Sequence, residues 1–256
     1  MSGRAARADG RLVRRRIMSL GPMLALTYAT GIVDAVGYLH LDQVFAGNMT
    51  GNVVILGMAA VNGTELRVLG PAVALACFLL GAAAAGRALR TAAPGWSDRC
   101  TALLCGVGLA LAVAAAGLSI IGADTTPELR ASMAAILALA MGAQAATARH
   151  VAVKDITTVV VTSTLTGLAA DSRLGAGRKQ GAARRSAAVA FIILGAVAGA
   201  LLSQAHVGLA VSAAALVVLA ATGLGHASTR SSEFGASGPN SPSSSSSATV
   251  PTRGRS

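Results

Sequence analysis

The residues with chemistry to offer lie close together near the start of the chain. Gly31-Ile-Val-Asp-Ala-Val-Gly37 carries a carboxylate, Asp34, in the middle of an otherwise apolar run from Leu20 to Leu41. Ten residues on, Gly47-Asn-Met-Thr-Gly-Asn52 sets two amides and a hydroxyl among glycines. A charge at membrane depth is costly, and such residues face a bundle interior, a water-filled cavity or a partner. Helical positions three, four and seven apart share a face, so Thr27, Thr30, Gly31, Asp34 and Tyr38 form one polar stripe. A carboxyl group removed from water holds its proton more readily, which makes Asp34 a candidate proton carrier. The plainer reading is a neutral Asp that only bonds a neighbouring helix.

The second stretch is too polar for an ordinary spanning helix. Asn48 and Asn52 are four apart, as are Gly47 and Gly51. In a continuous helix the glycines would make a packing face edged by the asparagines. If the helix breaks at Gly51, freed backbone groups near Thr50 and Asn52 could hold an ion or polar solute. The sequon Asn48-Met-Thr50 falls at membrane depth, and we read it as incidental. Later in the chain, Thr158, Thr162 and Thr166 repeat every four residues, and Gln144 and Thr147 lie three apart. Threonines in membrane helices also bond their own backbone, which is the competing reading of that stripe. The candidate solute or ion ligands are therefore Asp34, Thr30, Tyr38, Asn48, Thr50, Gly51, Asn52, Gln144, Thr158 and Thr162.

Other chemistry is not indicated. No phosphate-binding loop, dinucleotide fingerprint, zinc-protease helix motif or nucleophile elbow is present, so we expect no enzyme, no catalytic residue and no cofactor. Cys77, Cys100 and Cys105 lack metal-ligand spacing and read as free thiols, and no metal site is expected. Arg149, His150, Lys154 and Asp155 bridge two apolar segments, either as a gate or as an anchored loop. Gly195 and Gly199 form a GxxxG pair suited to helix packing.

The elements that must hold these residues follow from composition. Of 256 residues, 54% are hydrophobic and only 12% charged, with mean hydropathy +0.64, against about a quarter charged in soluble domains. Aromatics make up 3%, so the apolar content is Ala, Leu, Val and Gly, which suits close helix contact in lipid. Eight apolar segments occur, at 20–41, 44–61, 68–89, 101–122, 131–148, 156–170, 187–205 and 207–226. A span needs about 20 apolar residues; the second and sixth are shorter and polar. The net charge of +11 raises nucleic-acid binding, but the arginines sit between apolar runs, as cytoplasmic loops of membrane proteins require. No nucleic-acid partner is expected.

Charge also selects a topology. If all eight segments cross, five of the 21 Lys and Arg lie outside. If the second and sixth re-enter, only Arg67 and Arg130 do. We therefore expect an all-α membrane bundle of about six spans and two short re-entrant or broken segments, with both termini in the cytoplasm. The basic segment 1–19 should be unfolded or lie on the membrane surface, held by anionic headgroups. A cleaved signal peptide is the alternative, opposed by the length of the run, by Asp34 within it and by the lack of a small-residue cleavage site. The transmembrane domain is 20–226, and the Ser-, Gly- and Pro-rich tail 227–256 should be disordered.

The two short segments occupy matching places. Gly31 precedes Thr50 by 19 residues and Gly142 precedes Thr162 by 20. The halves, about 20–122 and 131–226, each read as long, short, long, long. With three spans per half the second must insert upside down, a 3+3 inverted repeat, a plan common among transporters.

At Gly31-Ile-Val-Asp-Ala-Val-Gly-Tyr38, Met49-Thr-Gly-Asn52 and Ala140-Met-Gly-Ala-Gln144, the chain resembles the YoaK-type family of bacterial inner-membrane proteins. The resemblance covers about residues 20–226 and implies a polytopic fold of roughly six spans, with no established activity. The family pattern leads us to expect a Thr-Gly pair in the second half; Thr162-Ser163 stands there instead, so the sixth segment should be a continuous helix. The residues together point to a secondary transporter or exporter of a small solute or ion, proton-coupled through Asp34, and the resemblance implies the bacterial inner membrane. A channel and a non-transporting scaffold are the alternatives. The partners expected are lipid and that solute, with a homo-oligomer open.

Overall fold

The computed structural model describes residues 2–61, 68–121, 126–151, 161–171 and 182–234, with backbone alone for 2–19, 121, 161–162 and 231–234. Every regular element among them is helical: α1 (Ser2–His40), α2 (Met49–Ala59), α3 (Leu69–Leu89), α4 (Asp98–Ile121), α5 (Pro127–Val151), α6 (Val161–Ala170), α7 (Ala182–Ala205) and α8 (Val207–Phe234). Six of them, with α1 counted from Leu20, are long and apolar enough to cross a membrane. At 11 and 10 residues, α2 and α6 are about 15 Å long, half a hydrocarbon core.

Contacts at the two ends of the bundle give each helix its direction. At one end Asp42, just past α1, pairs with Arg130 of α5 at 3.0 Å. The start of α3 joins them, since a Cβ on Gly70 would press on Val44 and Asp42. The end of α4 meets the start of α8 there, Ser119 against Gly208. At the opposite end His150 of α5 reaches the Ala93 carbonyl just past α3 at 3.1 Å, and Thr101 of α4 meets His226 of α8 at 3.4 Å. Thus α1 and α4 run one way and α3, α5 and α8 the other. Gly195 and Gly199 of α7 meet Tyr28 and Ile32 of α1 in the same order, so α7 is parallel to α1. The chain leaves α1 and enters α3 at the same end, so α2 does not cross between them. The same holds for α6, between the end of α5 and the start of α7.

Packing rests on missing side chains. A Cβ on Gly31 would collide with the Ile192 carbonyl of α7, and one on Gly195 with the Tyr28 carbonyl of α1. The same happens between α5 and α3: Gly142 against the Phe78 carbonyl, Gly81 against that of Leu139. In lipid no hydrophobic force draws helices together, so backbone approach of this kind supplies the contact. Gly195 and Gly199 serve packing, as their spacing indicates. The spans α1 and α5 are the most enclosed, 56% buried over their apolar stretches, against 17% for α7.

Two boundaries differ from expectation. Ser2–Ser19 continues α1 as about five helical turns instead of an unfolded lead. Past residue 226, α8 runs to Phe234, shortening the expected disordered tail. Hydropathy marks where lipid ends, whereas backbone bonding carries a helix further; Ser228 and Thr229 hold the Gly225 and His226 carbonyls at 2.7 Å.

Candidate solute site

The site begins where α1 stops. Leu41 to Val44 is a tight turn closed by the Val44 N–H on the Leu41 carbonyl at 3.3 Å. Asp42 and Gln43 both take left-handed backbone, φ 58° and 59°, the paired positive φ of a type I′ turn. The chain doubles back along α1. It can lie close because a Cβ on Gly37 would strike the Val44 carbonyl, and one on Gly47 the Thr30 methyl at 2.7 Å.

In that position the returning strand meets the polar stripe. Asp34 accepts the Gly47 N–H at 2.6 Å, with the N–H groups of Ala46 and Asn48 beside it. These groups lead into the N-terminus of α2, where backbone donors favour a negative charge. Asn52, fully enclosed in α2, braces the same strand: its Oδ1 accepts the Phe45 N–H at 2.9 Å and its Nδ2 donates to the Phe45 carbonyl at 2.6 Å. The Phe45 ring stacks on Tyr38, centroids 5.1 Å apart, and rests over Gly51.

One helical turn from Asp34 along α1, Thr30 donates to the Leu26 carbonyl at 2.9 Å. Gln144 of α5 reaches across, its Nε2 donating to Thr30 Oγ1 at 3.0 Å and to the Leu26 carbonyl at 3.3 Å. That amide can point only one way: a carbonyl accepts only, and Thr30 has already spent its proton. Gln144 Oε1 is left buried with no hydrogen-bond partner among the described residues.

Between these groups lies a cavity of about 670 Å³. It follows α1 from Leu26 to Tyr38, about 18 Å of helix. The returning strand and α2 wall one side, α5 another, with Phe78 of α3 and Ile192 of α7 completing it. Of the ten expected ligands, Thr30, Asp34, Tyr38, Asn48, Thr50, Gly51 and Gln144 line it. Asn52 does not, since both ends of its amide are used on Phe45. Thr158 lies outside the described residues, and of Thr162 the backbone alone is described, within α6. No break occurs at Gly51, which sits inside α2; the interruption is the segment 41–48 before it, because the reversal needs the left-handed pair at Asp42 and Gln43. For the same reason Gly47 lies outside the helix, and Gly47 and Gly51 form no common packing face. Of the sixth segment, 161–170 form α6, and 156–160 lie outside the described residues. Of the expected gate, His150 binds the Ala93 carbonyl, and Lys154 and Asp155 lie outside the described residues. Phe45, Phe78 and Ile192 carried no signal that would separate them from core residues.

A family model described as "Protein of unknown function (DUF1275)" matches residues 23–224. The UPF0700 transmembrane protein YoaK of Bacillus subtilis (strain 168) is 33% identical over 162 residues, 62% of this chain and 67% of that protein. No solved structure matches.

Proposed function

The chain belongs to the DUF1275 family of membrane proteins of unknown function, and on that footing we propose that it is a secondary transporter of a small solute, proton-coupled through Asp34. The observation that carries this reading is the cavity itself, enclosed by the two most buried spans and walled by an interrupted segment that does not cross. Solute sites of transporters lie near mid-membrane, where interrupted helices from related halves meet.

The pattern of contacts supports an inverted repeat around it. A shift of 111 residues relates Gly31 to Gly142 and Tyr28 to Leu139; one of 114 relates Phe78 to Ile192 and Gly81 to Gly195. These glycine contacts made by the first half on the second are thus returned by the second on the first. The same shifts pair Thr30 with Met141, Asp34 with Ala145, and Phe78 with Ile192, and all six line the cavity. The void lies across the axis that would relate the halves.

Asp34 then has a part to play. As a carboxylate it grips the strand before α2; a bound proton takes away the negative charge that holds those N–H groups and frees the wall to move. The arginines 87, 90, 99 and 149 gather at the end of the bundle where α1 begins. By the positive-inside rule that end is cytoplasmic, with both termini on that side of the bacterial inner membrane.

Single cysteines at Thr50 and Ala148, in a background lacking Cys77, Cys100 and Cys105, test the proposal in spheroplasts and inverted vesicles. Each should label predominantly from one side, to an extent that shifts with an imposed proton gradient. Labelling of both positions from either side would make the cavity a channel. The hydrogen bonds that anchor Asp34 and Asn52 favour a second reading, a scaffold in which polar residues only join helices. Protection of both cysteines from both sides would establish it in place of transport.

A further inference from the structure

We propose that the cavity selects a protonated primary amine with an apolar body, and that this cation and the proton are alternative occupants of Asp34. The inference rests on the transporter reading and names the substrate class of that site.

Asp34 is the one charged side chain among its lining residues, with no Lys, Arg or His among them. Backbone donors do approach it, but Asp34 itself holds the Gly47 N–H at 2.6 Å. Of the uncharged polar groups left over, Tyr38, Asn48 and Thr50 can accept as well as donate, and Gln144 adds an acceptor. Gln144 lines the cavity, and its Oε1 is buried with no partner among the described residues. Its orientation is fixed from behind by the two bonds of Nε2. A buried acceptor left unmatched costs free energy, and an N–H from a ligand removes that cost. An anion would meet the Asp34 carboxylate with no cationic side chain to answer it. A quaternary ammonium would bring charge but no N–H. A primary ammonium supplies both.

The remainder of the ligand is set by the apolar part of the lining, which includes Met141, Phe78 and Ile192. It offers no hydrogen bond, so the body of the ligand is apolar. Its charge neutralises Asp34 as a proton would, and the two cannot do so together. Movement of the amine one way is therefore tied to movement of a proton the other way.

Binding is measured first, on the full chain in nanodiscs, by calorimetry with hexylammonium, hexanoate and tetraethylammonium. Hexylammonium should bind, and the other two should bind at least tenfold more weakly. Gln144→Met should weaken hexylammonium at least tenfold. Ala145→Leu, which fills the cavity and removes no hydrogen bond, should do the same should the first variant not fold. Equal binding of hexanoate or tetraethylammonium, no binding of hexylammonium, or wild-type affinity in Ala145→Leu would overturn the inference. Proteoliposomes enclosing a pH-sensitive dye then separate it from the transporter reading. Selective binding with no amine-driven proton movement leaves the amine site standing and removes transport. Proton movement driven by an anion, and abolished by Ala145→Leu, keeps transport and removes the amine.

Discussion

At the residue scale, Asp34 and Asn52 divide a task that their sequence positions do not distinguish. Asp34 faces the cavity and also holds the strand before α2, whereas Asn52 faces away and replaces a neighbouring β-strand for Phe45, supplying one acceptor and one donor. Asn52→Ala leaves both Phe45 backbone groups unpaired and should destabilise the protein by about 1–3 kcal/mol. Asn52→Asp should be no better, because it restores the acceptor but sets a negative charge against the Phe45 carbonyl. Thermal unfolding in detergent would show both. For Asp34 the expected order is different. Asp34→Asn keeps an oxygen for the Gly47 N–H, so the protein should fold and melt close to wild type while proton-coupled transport falls at least tenfold; unchanged transport would remove Asp34 from the coupling. The polar stripe on α1 was legible because Thr30, Asp34 and Tyr38 repeat at helical spacing. The role of Asn52 was not, because an amide that lines a cavity and one that braces a backbone look alike in sequence. Nothing short of the turn at Asp42 and Gln43 brings Phe45 within its reach.

At the scale of elements, close packing depends on particular glycines and ignores others. Gly31 and Gly142 each face a carbonyl across the helix contact, whereas Gly57 and Gly86 have open space around their Cα atoms. Gly31→Ala and Gly142→Ala should each cost about 1–3 kcal/mol through overpacking. Gly57→Ala and Gly86→Ala should cost nothing and can gain up to about 1 kcal/mol from helix propensity. Melting temperatures of the four variants test the contrast, and equal effects would mean that these approaches do not limit stability. Six spans could be read from hydropathy because lipid demands some 20 apolar residues whatever the packing. The place of the interruption was not legible. Glycine at Gly51 invites a break, but the reversal is made by two left-handed residues that are not glycine, held by Arg130 of α5, which stands 88 residues further along the chain.

At the scale of the whole molecule, the charge pattern and the contacts agree on direction. Arg130 lies at the end where α1 finishes, and Arg87, Arg90, Arg99 and Arg149 lie at the other. A cysteine at Gly63, in the background without Cys77, Cys100 and Cys105, should react with an impermeant thiol reagent in intact cells. Protection until lysis would mean that the segment holding α2 crosses the membrane, and the opposed halves would be lost with it. That six spans would alternate was readable from the short segments; which helices would touch was not. Small residues in α1, α3, α5 and α7 are too common for any one pairing to stand out.

The returned glycine contacts also bear on how the protein is made. The partner of α1 is not its neighbour in sequence but α7, which begins at Ala182, 142 residues after α1 ends at His40. At about 5–20 residues per second, the ribosome delivers α7 roughly 7–28 s after α1 is complete. Throughout that interval Gly31 has no helix against it, and Asp34 has only its own strand for shelter. The first half released alone should be a substrate for membrane proteases. Two separately encoded fragments, divided within residues 122–125 and expressed together, should protect each other from degradation. Half-lives of each fragment with and without its partner, followed by pulse-chase labelling, would measure that mutual protection.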